Sequence, residues 1–331
     1  MNTNSAQTNF VFILGIMPRT GTHYLANLLC LHPDCLQSAI PEDGLIMMSN
    51  VLMQYVARNT WQWQLTGDFP EIDADKLLTE GLGIGLLNFL RQAGSKTNQV
   101  IDAEPGSSTR YLVTKTPNVK NIKNFFKLFP DERLLILIRD GRDVVESNYL
   151  SFKYPREEAI REWAKATRSI YKLQEKWSAE GRKFLVVKYE ELYQNTEPEM
   201  KKIFSFLGLE VLKCDFDKAL NMNVVGSSAF KRNGEVNWQP VKRTAEFNPL
   251  SRSAGWSRWQ HERFNWLASN ELKLFGYKPI SFKSHNFFII LKNYMYDTFY
   301  TIRVLIKKMR KYARFIWQRL KLKFKSKEAI I

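Results

Sequence analysis

The chain has 331 residues, 44 % hydrophobic and 25 % charged, which excludes a disordered chain and leaves room for one large α/β domain or two small ones. Its formal charge of +16 is uneven: residues 281–331 hold 13 Lys or Arg against Asp297 and Glu328, a net of +11, so the remainder is only mildly basic. Three cysteines, Cys30, Cys35 and Cys214, lack metal-type spacing, which excludes a disulfide framework and implies a reducing compartment.

The polar opening "MNTNSAQT" has no basic n-region, so no signal peptide or N-terminal anchor is expected. "NFVFILGIM" is β-branched and aromatic and predicts a buried strand. "THYLANLLCLH" follows as a helix that Pro33 ends. "GLIMMSNVLMQYVAR" and "ADKLLTEGLGIGLLNFLRQAG" read as helices joined by the loop "TGDFPEID". "YLVTK" is a short strand, "NVKNIKNFFKLF" a helix closed by Pro130, and "RLLILIR" a fully apolar strand. The helix "EEAIREWAKATRSIYKLQEKWSAEG", the strand "KFLVVKY" and the helix "EPEMKKIFSFLGL" complete the alternation. Strands alternating with helices imply an α/β fold: a P-loop-like central parallel sheet with helices on both faces. A domain of residues 1–280 is expected, followed by a basic amphipathic helical tail over 281–331.

Between the first strand and helix lies "MPRTGTH". Unpaired backbone N–H groups at a helix start carry partial positive charge and suit an oxyanion. Gly21 permits close backbone approach, Arg19 adds full charge, and Thr20 and Thr22 add hydroxyl donors; an ordinary threonine-capped turn is the alternative. The turn is not a Walker A loop, because Thr22 stands where that motif has its lysine, and this counts against nucleotide hydrolysis. In "RLLILIRDGRDVVESNYLSF" a buried strand delivers Arg139 at its carboxyl edge, ahead of a helix carrying Ser147. Ligands of open α/β sheets collect at that edge, so two anion sites there point to a ligand phosphorylated at two places. A surface ion pair among Arg139, Arg142 and Asp143 is the competing reading.

"PRTGT" after the first strand, "RDGRDVVESNY" after a later one and "VVKYEEL" beyond it resemble the sulfotransferases that use 3′-phosphoadenosine-5′-phosphosulfate (PAPS). "GSSAFKR", "QPVKRTAEFNPL" and "WSRWQHERFNWLASNELKLFGY" look like the C-terminal part of bacterial members, and "PRTGTHYLANLLCLHPD" is similar to the tyrosylprotein branch. The resemblance implies that Arg19, Thr20, Gly21, Thr22 and His23 hold the 5′-phosphosulfate and that Arg139 and Ser147 hold the 3′-phosphate. It also implies that Tyr189 and Ser228 complete the nucleotide pocket. His23 stands where the family has Ser or Thr; its imidazole can donate a hydrogen bond and can become cationic beside phosphate.

Sulfuryl transfer needs a base for the acceptor hydroxyl, stabilisation of the leaving phosphate, and in-line alignment. The tyrosylprotein branch has a catalytic glutamate in the region of "SAIPEDGLI", which implies Glu42 as base with Asp43 in reserve; capping of the next helix is the competing role. The related branch also has a lysine before a proline, which matches Lys115, and Arg19 is the second candidate for charge stabilisation. No metal is expected, since the four histidines lack ligand spacing with the cysteines. Trp61 and Trp63 are expected to flank an acceptor cleft. The acceptor is a hydroxyl compound, with glycolipid and saccharide as classes; a P-loop nucleotide kinase and a non-catalytic membrane-associated nucleotide-binding protein are the alternatives.

In the tail, Leu291, Met295, Phe299, Ile302, Leu305, Met309, Tyr312, Ile316 and Leu320 recur at three and four. Lys307, Lys308, Arg310, Lys311, Arg314 and Arg319 crowd the remaining faces. Residues 287–325 read as a helix lying on an anionic membrane surface, which makes the protein peripheral and cytoplasmic. Packing on the body or in a homodimer is the alternative, and nucleic acid is disfavoured by the continuous apolar face.

Overall fold

A computed structural model describes residues 9–40, 42–66, 72–94, 111–282 and 287–328. The first elements are β1 (Asn9–Gly15), α1 (Thr22–Leu29), β2 (Cys35–Gln37), α2 (Leu45–Leu65), α3 (Ala74–Gly94), β3 (Tyr111–Thr116), α4 (Phe125–Leu128), β4 (Arg133–Ile138) and α5 (Gly141–Phe152). They are followed by α6 (Arg156–Ala179), β5 (Phe184–Lys188), α7 (Tyr189–Gln194), α8 (Thr196–Leu207), α9 (Phe216–Leu220), β6 (Lys231–Arg232), β7 (Glu235–Val236), α10 (Arg258–Leu274) and α11 (Phe287–Glu328).

The central sheet has the order β2-β3-β1-β4-β5, and every pairing is parallel. The expected α/β architecture is thus observed. The apolar runs that predicted strands form its middle: Phe10 to Leu14 and Leu134 to Leu137 are wholly buried. Alternation divides their side chains between two cores. Val11 and Ile13 join Leu25, Leu28 and Phe204 on one face. On the other, Phe12 meets the rings of Phe125 at 5.2 Å and Phe129 at 4.9 Å. Each such side chain contributes about 1.5–3 kcal/mol by leaving water, so the sheet is a rigid platform for the loops at its carboxyl edge.

Several local expectations are corrected. The first helix ends at Leu29, before Pro33, because Cys30, Leu31 and His32 turn back on Ala26, Leu28 and Leu29 through tight hydrogen bonds. "NVKNIKNFFKLF" is a 3₁₀ turn over Ile122–Asn124 and one turn of α-helix, with Asn121 in the left-handed region (φ 64°) between Val119 and the turn. The edge strand β2 and the short helix α7 had no periodicity long enough to read.

The chain divides into two compact units, residues 1–255 with 270–277, and residues 256–269 with 278–331. In the second, Arg263 donates to the Asn293 side chain at 2.9 Å and to Asp297 at 2.7 Å, and Trp266 Nε1 donates to Asp297 at 2.8 Å. This clamp joins α10 to the start of α11. No helix among the described residues is long and apolar enough to cross a membrane.

Candidate functional site

Four strands end on one edge of the sheet, and each delivers a polar group there. The register pairs Ile13 with Lys115, Gly15 with Leu137 and Ile138 with Lys188, so the loop after β1, Lys115, Arg139 and Tyr189 emerge side by side. The loop after β1, Arg139 and Tyr189 line a cavity of about 470 Å³, within the range of small-molecule and cofactor sites, and buried Lys115 reaches two of its other lining residues, His23 and Glu42.

The loop after β1 is shaped by two left-handed residues, Arg19 (φ 75°) and Gly21 (φ 106°). A Cβ on Gly21 would stand 2.5 Å from the Tyr189 ring, so glycine is required by conformation and by space. Thr20 is wholly buried and donates to the Met17 carbonyl at 2.6 Å; it fastens the loop from behind and does not line the cavity. Thr22 and His23 line it, at the start of α1.

Arg19 donates through Nε to Ser147 Oγ at 3.3 Å, and its guanidinium lies near the rings of Phe152 (5.7 Å) and Trp238 (6.0 Å). Arg139 is buried and donates from Nη1 to the Arg19 carbonyl at 2.9 Å and from Nη2 to the Pro249 carbonyl. Its guanidinium sits 4.5 Å from the centre of the Tyr189 ring, and its Nε has no partner among the described residues. The feared surface ion pair is therefore not what Arg139 makes: Arg142 pairs with Asp140 at 2.6 Å, while Asp143 accepts from Ser253. Burial, reinforced by Arg139 and Arg252, brings the Arg19 pKa down to about 10, so it stays charged at neutral pH. Such a cluster of guanidinium groups has the electrostatic character of an anion site.

Lys115 does not itself line the cavity; it is 2 % exposed, and its ammonium lies 3.1 Å from His23 Nε2 and 3.6 Å from Glu42 Oε1, which do. An ammonium can only donate, so Nε2 accepts and the His23 proton sits on Nδ1. Burial, Lys115 and Arg19 lower the His23 pKa to about 4, so in the free protein the imidazole is neutral at pH 7. Burial also lowers the Lys115 pKa, opposed by Glu42. Glu42 is half exposed and lines the cavity. Asp43 does not; it accepts from Thr114 Oγ1 at 2.8 Å and from the Leu45 N–H at 2.9 Å, tying the start of α2 to β3. Of the two carboxylates, then, Glu42 faces the cavity and Asp43 is engaged in holding the start of α2.

Tyr189 is buried, with its phenol pushed up to about 12 by burial. Ser228 is buried with no partner for Oγ among the described residues, and it is the neighbouring Ser227 that lines the cavity. Ser227 Oγ accepts from Arg252 at 3.1 Å. Arg252 and Trp238 are residues that sequence reasoning missed, since both lie in an irregular stretch; the only available signal was the density of Arg and Trp over residues 238–259. Trp61 and Trp63 fall in the second half of α2, away from this cavity, and Trp61 lines a separate depression with Asp73 and Asp75. No group of His, Cys, Asp and Glu suited to a metal occurs among the described residues.

A family profile described as "Sulfotransferase family" matches residues 11–213. Protein-tyrosine sulfotransferase 2 of Gallus gallus is 26 % identical over 215 residues, which are 62 % of this chain and 52 % of that protein. The chain therefore spans about half the length of the curated relative it matches. Among solved structures, the sulfotransferase domain of the Synechococcus PCC 7002 olefin synthase is 17 % identical, with a TM-score of 0.39, covering 88 % of this chain and 96 % of that one. Mouse sulfotransferase SULT7A1, solved in complex with PAP, is 13 % identical with a TM-score of 0.39, covering 81 % and 85 %.

Proposed function

Because the chain belongs to the sulfotransferase family, we propose that it moves a sulfuryl group from PAPS to an acceptor hydroxyl, glycolipids and saccharides being the acceptor classes to test. The observation that carries this reading is that Arg19 and Arg139, distant in sequence, meet on the wall of one cavity, with Arg139 Nη1 on the Arg19 carbonyl at 2.9 Å.

The residues suit the donor. Arg19, Arg139 and Arg252 bring charge, the Arg139 Nε is a buried donor without a partner, and the Gly21 backbone leaves the approach to the α1 start open. In this reading the 5′ end lies against Arg19, Thr22, His23 and the first N–H groups of α1, with Thr20 acting only through the loop it fastens. The 3′-phosphate lies against Arg139, Ser147 and Arg252, beside Tyr189 and the Ser227–Ser228 turn. The bound donor supplies the sulfuryl group and departs as 3′-phosphoadenosine-5′-phosphate (PAP).

Glu42, the only acidic side chain on the cavity wall among the described residues, takes the acceptor's proton. Lys115 holds Glu42 on one side and His23 on the other, so its charge lies between the base and the donor's 5′ end. There it offsets the negative charge that develops on the leaving phosphate, together with Arg19. Transfer of labelled sulfate from PAPS to an extract of the source cells tests the reading. We expect a labelled product with the wild type and a loss of at least about a hundredfold with Glu42→Gln, the size of a general-base contribution. Undiminished transfer by that variant would remove Glu42 from the mechanism.

The same proposal places the protein at the cytoplasmic surface of an anionic membrane. Support comes from α11, where Phe287, Leu291, Met295, Phe299 and Ile302 are exposed beside exposed Lys307, Lys308 and Arg310. Asp297, the one acidic residue of its first half, is engaged by Arg263 and Trp266.

A further inference from the structure

The helix α2 is unusual for a helix at a protein surface. Across its 21 residues it carries one charge, Arg58, and buries only Ile46, Ser49, Val56 and Thr60. On the opposite side Met48, Val51 and Tyr55, spaced at three and four, form a stripe whose members are 59 %, 59 % and 54 % exposed. Apolar exposure of this kind marks a surface that binds something.

Its position says what. The stripe starts one turn beyond Gly44, two residues after Glu42, the carboxylate on the cavity wall. Helical side chains lean toward the N-terminus, so these three lean toward the Glu42 end. That end of α2 is fixed in place. Gly44 N–H donates to Thr116 Oγ1 at 3.0 Å, Asn121 holds the Met47 carbonyl at 2.7 Å, and Asn124 holds Ser49 and Asn50 at 3.0 and 2.9 Å. The cavity side carries further exposed aromatic surface, Phe152 and Trp238, both about half exposed. The three members of the stripe present carbon apart from the Tyr55 hydroxyl, with exposed Asn50 and Gln54 beside them.

We infer that the α2 stripe is the acceptor subsite for an unbranched apolar chain, so that the acceptor is an amphiphilic alcohol whose hydroxyl meets Glu42 and whose chain lies along Met48, Val51 and Tyr55. The inference rests on the sulfotransferase reading. Met48 to Tyr55 spans about 10 Å at 1.5 Å per residue, which sets the chain length over which the surface acts.

The test is a series of primary n-alkanols as probe acceptors with PAPS, run on the full chain. For the wild type, kcat/KM should rise about two- to fourfold per methylene, following the transfer of a CH₂ group from water, and level off once the chain outruns the stripe. Val51→Glu should flatten that slope while PAP affinity stays as in the wild type, and Val51→Leu should keep the slope. The readout is the slope, which a general loss of activity does not change. Equal slopes in Val51→Glu and wild type, or no dependence on chain length, would overturn the inference. So would a wild-type dimer that Val51→Glu splits in sedimentation, which would assign the stripe to a second copy. An enzyme that binds PAP yet sulfates no alkanol overturns the inference alone; one that binds no PAP overturns the functional reading and the inference with it.

Discussion

His23 is the residue at which protonation and donor binding meet. In the free protein its pKa of about 4 leaves it neutral, accepting from Lys115. An anionic ligand at the α1 start favours the imidazolium and raises that pKa. The complex then binds more protons than the free protein between pH 4 and the raised value, so affinity for PAP should strengthen as pH falls through that window. Calorimetry in buffers of different ionisation enthalpy should show proton uptake with the wild type and less with His23→Gln; equal uptake would place the proton elsewhere. Gly21→Ala is expected to fail for a different reason. The left-handed region costs a residue with a side chain about 1–2 kcal/mol, and the new methyl would strike Tyr189. A thermal shift assay should show lower stability and no stabilisation by PAP. Arg19 and Arg139 were legible because each punctuates an apolar strand or the turn after it, whereas Tyr189 was indicated by the family resemblance alone. Arg252 was not, because its place depends on Ser253 reaching Asp143 across 110 residues of chain, and no local pattern encodes such a contact.

The elements are held to the site by a few long-range hydrogen bonds. Asp143 in α5 accepts from both the N–H (2.9 Å) and the hydroxyl (2.7 Å) of Ser253, and Asn148 of the same helix donates to the Pro18 carbonyl at 2.7 Å. One helix therefore positions both the Arg19 loop and the segment bearing Arg252. Asp143→Ala should release residues 249–253 and weaken PAP about tenfold, the effect of losing one well-placed charged contact, while hydrogen exchange in β1 and β4 stays unchanged. Loss of protection throughout the sheet would instead make Asp143 a general stability residue. In the second unit, Arg263→Met removes one partner of Asp297 and of Asn293, leaving Trp266 on Asp297, and faster exchange is expected over residues 287–300. Long elements were readable from the sequence because their periods run for several turns. The β2 edge strand of three residues was not, nor was the breaking of "NVKNIKNFFKLF" into a 3₁₀ turn and one α turn, since tertiary pairing with β3 and aromatic packing on Phe12 decide them.

At the scale of the whole molecule, charge is segregated: residues 281–331 carry a net +11 of the total +16. Co-sedimentation with anionic vesicles should therefore succeed at low salt, decline as the Debye length shrinks, and be lost when residues 281–331 are removed. Binding unaffected by that truncation would exclude the tail as the contact. The proposed function stands or falls at the sheet edge, where two cationic loops would grip the two ends of one adenylate. Calorimetry without magnesium, comparing PAP, AMP and ATP on wild type and Arg139→Ala, addresses it most directly. Wild type is expected to bind PAP at least tenfold more tightly than AMP or ATP, and Arg139→Ala to abolish the gap between PAP and AMP. Equal affinity of wild type for PAP and AMP, or tighter binding of ATP, would contradict it.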